Sequence, residues 1–153
     1  MNSQHLLQHT KSLLYLLPVL MPAAVSALDF QSVAPGVGVL RTAPSSQAKP
    51  IFVLSRSTPL EVMLLNGDWA KVRDRDGSMG WLERKQLSPR SVVVVNVSRT
   101  IVRAKADEAA GIVFEAERDV LLDALERPVS GWVKVRLPDG PAGYVRLKDI
   151  WGI

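Results

Sequence analysis

The sequence predicts an all-β protein made of two copies of one small unit, placed after an export segment. Three observations carry that expectation: a stretch that recurs at a fixed spacing, strand-and-turn patterning within each copy, and an apolar N-terminus ending on small residues.

The N-terminal element comes first. Lys11 precedes an apolar run from Leu13 to Val25, which is interrupted by Pro18 and Pro22 and closes on Val25-Ser26-Ala27. A basic residue, a short apolar run and small residues at the end form the pattern of a secretory signal peptide. A membrane-spanning helix needs roughly 20 unbroken apolar residues, and this run is shorter and carries two prolines. Residues 1–27 are therefore expected to be removed after Ala27, giving a periplasmic or secreted chain with no stable membrane insertion. The sequence contains no cysteine, so lipid attachment through one after the cleavage site is excluded.

Removal of that segment restricts the chemistry. Both histidines, His5 and His9, lie within it. Serine or cysteine nucleophiles activated by histidine are then unavailable, as are zinc sites built from Cys or His. No catalytic residue, metal or cofactor is expected. An oxidising compartment permits disulfides, yet this chain has none to form, so packing must supply the stability. Lys11 is the single charged residue removed from 19 Lys+Arg and 15 Asp+Glu, so the net charge falls from +4 to +3. Basic and acidic residues are interspersed, and no basic stripe of the kind that holds nucleic acid is present.

The repeat organises the rest. GDWAKVRDRDGSMGWL, Gly67 to Leu82, returns as SGWVKVRLPDGPAGYV, Ser130 to Val145. Trp69 matches Trp132, Lys71 matches Lys134, Arg73 matches Arg136, and Trp81 matches Tyr144, each 63 positions on. Leu40-Arg41 matches Val102-Arg103 at 62, so small insertions separate the copies. Self-similarity over this length argues for two similar domains, expected at residues 28–90 and 91–153.

Each copy reads as short strands. Leu60 to Leu65 is apolar except for Glu61. Trp69 to Arg73 alternates, with Ala70 and Val72 on one face and Trp69, Lys71 and Arg73 on the other. Arg73-Asp74-Arg75-Asp76-Gly77 supplies turn residues, Pro138-Asp139-Gly140 supplies the same turn in the second copy, and Met79 to Glu83 returns as the hairpin partner. Ser91 to Val97 is a β-branched run suited to a strand, shared between the copies or bridging them. Single helical turns are expected at Arg84 to Leu87 and Leu147 to Ile150. Ile112 to Leu125 can be drawn as an amphipathic helix, but its counterpart, Phe52 to Leu65, holds Pro59 and many strand formers. Both are read as strand–turn–strand.

These residues resemble the bacterial SH3-like domains. "GDWAKVRDRDGSMGWLERKQLS" and "SGWVKVRLPDGPAGYVRLKDI" follow the family's ending of Trp, a basic residue beside Val, an acidic-Gly turn, Gly-aromatic and a closing turn. Leu40-Arg41-Thr42-Ala43-Pro44, and more weakly Val102-Arg103-Ala104, resemble its front element. The resemblance implies two tandem SH3-like small β-barrels. It also implies a binding module of the kind that targets cell-wall hydrolases to peptidoglycan or its peptides. Asp68-Trp69 matches the aromatic wall of eukaryotic SH3 grooves, but the proline expected after the Gly-aromatic pair is replaced by Glu83 and Arg146, which argues against proline-rich ligands.

The candidate ligand-binding residues are Trp69, Lys71 and Arg73 with Trp132, Lys134 and Arg136. Exposed Trp flanked by cations suits a sugar ring or a carboxylated peptide. The competing reading is that each Trp caps a barrel end or packs against the sister domain. Trp81 and Tyr144 are expected to fill a core or interdomain gap, and Trp151 to pin the tail to the second barrel. Arg41, Arg103, Arg73 and Arg136 either form an anion patch across the domains or are paired locally on the surface. Asp74 and Asp76 are read as hairpin punctuation rather than as a catalytic carboxylate pair. The expected function is an exported, non-enzymatic module binding peptidoglycan or envelope peptides. An envelope adaptor with a protein ligand is the alternative.

Overall fold

The computed structural model describes residues 29–153, and the segment read as a signal peptide lies outside them. The first sheet contains β1 (Asp29–Val33), β2 (Val37–Arg41), β3 (Pro50–Ser55), β4 (Pro59–Asn66), β5 (Trp69–Arg73), β6 (Met79–Glu83) and β7 (Leu87–Ser88). The second contains β8 (Val92–Val95), β9 (Arg99–Arg103), β10 (Ile112–Glu117), β11 (Leu121–Ala124), β12 (Trp132–Arg136), β13 (Ala142–Arg146) and β14 (Ile150–Trp151). Their orders, β3-β2-β6-β5-β4-β1-β7 and β10-β9-β13-β12-β11-β8-β14, are the same order applied twice. All pairings are antiparallel, which is the architecture of two SH3-like β domains.

Alternation builds each core. In β5, Ala70 and Val72 are buried, and in β6 Leu82 joins them with Leu40, Leu60 and Val33. In the second unit Val102, Leu122, Val133, Val135 and Val145 do the same, with Val93, Val95 and Ile150. Full burial of each such side chain stabilises by roughly 1.5–3 kcal/mol. The two cores have no residue in common. One-turn 3₁₀ segments, Arg84–Gln86 and Leu147–Asp149, close each unit where single helical turns were expected.

The stretch from Ile112 to Leu125 is strand–turn–strand, β10 followed by β11. Its turn places Asp119 at φ 71, and the matching turn places Ser57 at φ 63. Neither position is glycine, so the strongest mark of left-handed backbone is missing from both turns. The hairpins at the repeat also differ in detail. Gly77 takes positive φ at 89, whereas in the second copy Asp139, at φ 56, takes that role and Gly140 does not. Both turns still close with the same bond, Gly77 N–H donating to Asp74 O and Gly140 N–H to Leu137 O.

Strand β8 departs from alternation. Val93 and Val95 enter the second core, while Val92 and Val94 on the opposite face are buried as well, at 3% and 6% exposure. Its ladder pairing is with β11 and β14 of its own sheet. The other face packs against β4 of the first unit. The valine run therefore bridges by packing, not by a shared ladder. Phe30 and Trp151 meet edge-to-face nearby at 5.1 Å, so the tail is pinned to both units and not to the second alone. Arg75 of the first unit's hairpin turn reaches Asp119 of the second at 2.5 Å. Ser32 Oγ donates to Arg90 O at 2.9 Å.

Candidate functional site

In each unit three strands, β5–β6–β2 or β12–β13–β9, present an outer face opposite the core. Register sets what stands there. Lys71 lies directly across from Trp81, and Trp81 directly across from Arg41. The second unit repeats the row as Lys134, Tyr144 and Arg103. Each row is an aromatic ring between two cations, and every member is partly exposed. Trp81 and Tyr144 belong to neither core cluster. They were expected to fill a core or interdomain gap, and instead they occupy the outer row. The signal was present: each lies between two buried residues, Gly80 and Leu82 or Gly143 and Val145, and alternation then turns it outward.

Glycine makes that arrangement possible. A Cβ built on Gly143 stands 2.6 Å from Arg103 O and 2.7 Å from Val102 Cγ1, and one on Gly80 stands 2.5 Å from Leu40 Cγ. The neighbouring strand passes too close for any side chain, so only glycine serves before the aromatic residue.

The six candidate residues divide by environment. Trp69 and Lys71 are half-buried on the outer face of the first unit. Arg73 spends its guanidinium on Glu61, with Nε at 2.6 Å and Nη2 at 2.5 Å from Oε2. Glu61, the lone charge in its apolar strand, is 1% exposed. In the second unit Trp132 is 7% exposed, and the Arg146 guanidinium lies 4.6 Å over its ring while hydrogen-bonding Glu108. The first-unit counterpart of Arg146 is Glu83, which stands across from Trp69 and pairs with Lys85. Lys134 Nζ is 3.2 Å from Glu126 and 5.9 Å from the Tyr144 ring centroid. The Glu126 hydrogen bond leads the causes that raise its pKa above the ordinary 10.5. Arg136 is exposed, with Nη2 3.7 Å from Asp123 Oδ2.

The four arginines considered as one anion patch are distributed differently. Arg41 Nη1 donates to Ala48 O and Arg103 Nη1 to Ala110 O, each at 2.8 Å, so each ties down its own β2–β3 or β9–β10 loop. Arg73 is committed to Glu61. Arg136 alone of the four faces the cleft between the units. Asp74 Oδ1 accepts from Ser78 N–H at 2.8 Å within its hairpin.

Residues 34–89 match the family model of the bacterial SH3 domain. A search of curated proteins finds no match. Among solved structures, NlpC2 from Trichomonas vaginalis is similar at 13% identity and a TM-score of 0.37, covering 82% of this chain and 48% of that one. NlpC1 from the same organism is similar at 14% identity and 0.36, covering 88% and 50%. An NlpC/P60 family protein from Bacillus cereus ATCC 10987 is similar at 18% and 0.37, covering 80% and 55%. The chain spans about half the length of these structures. No helix among the described residues is long and apolar enough to cross a membrane.

Proposed function

We propose that this chain is an exported, non-enzymatic binding protein of the bacterial periplasm or exterior. It is a tandem pair of SH3-like domains that recognises peptidoglycan or envelope peptides. The observation that carries this reading is the doubled row of cation, aromatic and cation on the outer faces, Lys71–Trp81–Arg41 and Lys134–Tyr144–Arg103. An aromatic ring stacks on the apolar face of a sugar or on a peptide plane. Flanking cations hold carboxylates by charge-assisted hydrogen bonds. Trp69 extends the row in the first unit. Trp132 lies beneath Arg146, so the first unit offers the larger open aromatic surface.

The test is sedimentation of the mature protein with purified peptidoglycan sacculi at low and high salt. Most of the protein is expected in the pellet at low salt. Trp81→Ala and Trp69→Ala are expected to shift it to the supernatant while lowering the melting temperature little. Wild-type protein remaining wholly in the supernatant at low salt overturns the peptidoglycan reading. A second reading, an adaptor for a protein partner, then takes its place, and strand β3 favours it. Ile51, Phe52 and Val53 lie exposed in a row on that sheet-edge strand. An unpaired apolar edge is a template for strand addition by a partner peptide.

A further inference from the structure

We infer that the cleft between the two units is a second binding site, for the free carboxylate of a short peptide. The cleft encloses about 820 Å³, within the range of roughly 300–1,000 Å³ in which small ligands bind. One wall comes from the turns of the first unit, with Pro35, Arg56 and Ser57, and the other from the second-unit hairpin, with Arg136 and Pro138. Arg90, in the segment joining the units, lies between them.

Charge defines the ligand. Asp123, buried at 7% exposure, takes Arg90 Nη2 on Oδ1 at 2.5 Å and faces Arg136 Nη2 from Oδ2 at 3.7 Å. The two guanidinium groups thus already converge on one carboxylate, and each keeps about half of its side chain in solvent. Arg56, exposed on the facing wall, enters no ion pair among the described residues. Asp139 at the rim is the remaining acid of the cleft. Three arginines against two carboxylates leave one positive charge in surplus, which suits a monoanion better than a phosphate dianion. The planar guanidinium fork matches carboxylate geometry, and a proline from each unit offers flat apolar contact to small side chains. This site is separate from the outer rows, since none of Lys71, Trp81, Arg41, Lys134, Tyr144 or Arg103 lines it.

Isothermal titration of the mature protein with trialanine and with its C-terminal amide tests the inference. The free acid is expected to bind at about 10 mM or below and at least roughly tenfold more tightly than the amide, a difference of about 1.4 kcal/mol. Arg56→Ala is expected to weaken the acid by at least about fivefold, with the melting temperature unchanged because that side chain has no ion-pair partner to lose. Arg56→Lys should recover part of the affinity. Equal binding of acid and amide, no binding of either, or an unaltered affinity in Arg56→Ala overturns the site. Inorganic phosphate binding more tightly than trialanine overturns the peptide assignment. Sedimentation with sacculi reads the outer rows instead, so either proposal can fail while the other stands.

Discussion

Replacing Gly143 by alanine tests the close passage of β13 over β9, on which the outer row depends. The added methyl carbon would stand 2.6 Å from Arg103 O, 2.7 Å from Val102 Cγ1 and 3.4 Å from Arg103 C. Two of these neighbours are backbone atoms and the third belongs to a fully buried valine, so no flexible side-chain end can swing aside. Restoring ordinary van der Waals contact requires the strands to part by about 0.8 Å. Overpacking of a filled core costs about 1–3 kcal/mol, and a clash against backbone belongs in the upper half of that range. For a unit of this size each kcal/mol lowers the melting temperature by roughly 4–8 °C, so a fall of roughly 8–24 °C is expected. Thermal unfolding followed by circular dichroism measures it. Gly111→Ala is the control, since nothing lies within 4 Å of its Cβ position. Equal melting temperatures for the two variants would refute the argument that Gly143 is required by strand contact.

Trp132→Ala, which empties a buried ring site, is expected to cost about 3–5 kcal/mol, and Trp69→Ala, from a half-exposed position, less than about 2 kcal/mol; denaturant titration separates them, and equal losses contradict the assigned environments. Asp119→Asn keeps a side chain that tolerates positive φ but removes the ionic partner of Arg75. Stability should fall by less than about 1 kcal/mol, while residual dipolar couplings should report freer motion between the units; an unchanged common alignment counts against that contact's role. For Lys134, a folded-state pKa raised by Glu126 means a stabilising contribution that is complete below the ordinary 10.5 and is lost as pH rises through the folded value. The difference in melting temperature between wild type and Glu126→Gln should therefore hold constant at pH well below the ordinary 10.5 and shrink as the pH is raised above it.

The hairpins were legible because their information is local: acidic residues and glycine mark the turns, and Ala70, Val72 and Leu82 mark the inner face. The second sheet was legible as a copy, since the offset of 63 carries every such assignment forward. The difference between Trp69 and Trp132 was not. Both begin the equivalent strand, and the residue across from them differs, Glu83 in one unit and Arg146 in the other. An arginine can lie over an indole and a glutamate cannot, but that consequence follows only once the register is known. Glu61 was visible as an isolated charge, and its partner Arg73 is likewise a matter of register. The cleft was hidden for a further reason. Arg56, Arg90 and Arg136 lie far apart in sequence and come to line one cleft only through the docking of the two units.

That docking bears on how the chain can be divided. A strand with the sequence Val92-Val93-Val94-Val95 has no side left for water, because one face belongs to its own barrel and the other to its neighbour. Cutting the chain at Arg90 would yield a second unit with its own hydrophobic centre intact but with Val92 and Val94 laid bare along one strand. Such a fragment is expected to self-associate more strongly than the intact chain. The two units thus keep separate cores but share one boundary, and a graft of either unit alone would need an apolar surface to stand in for the other along that boundary.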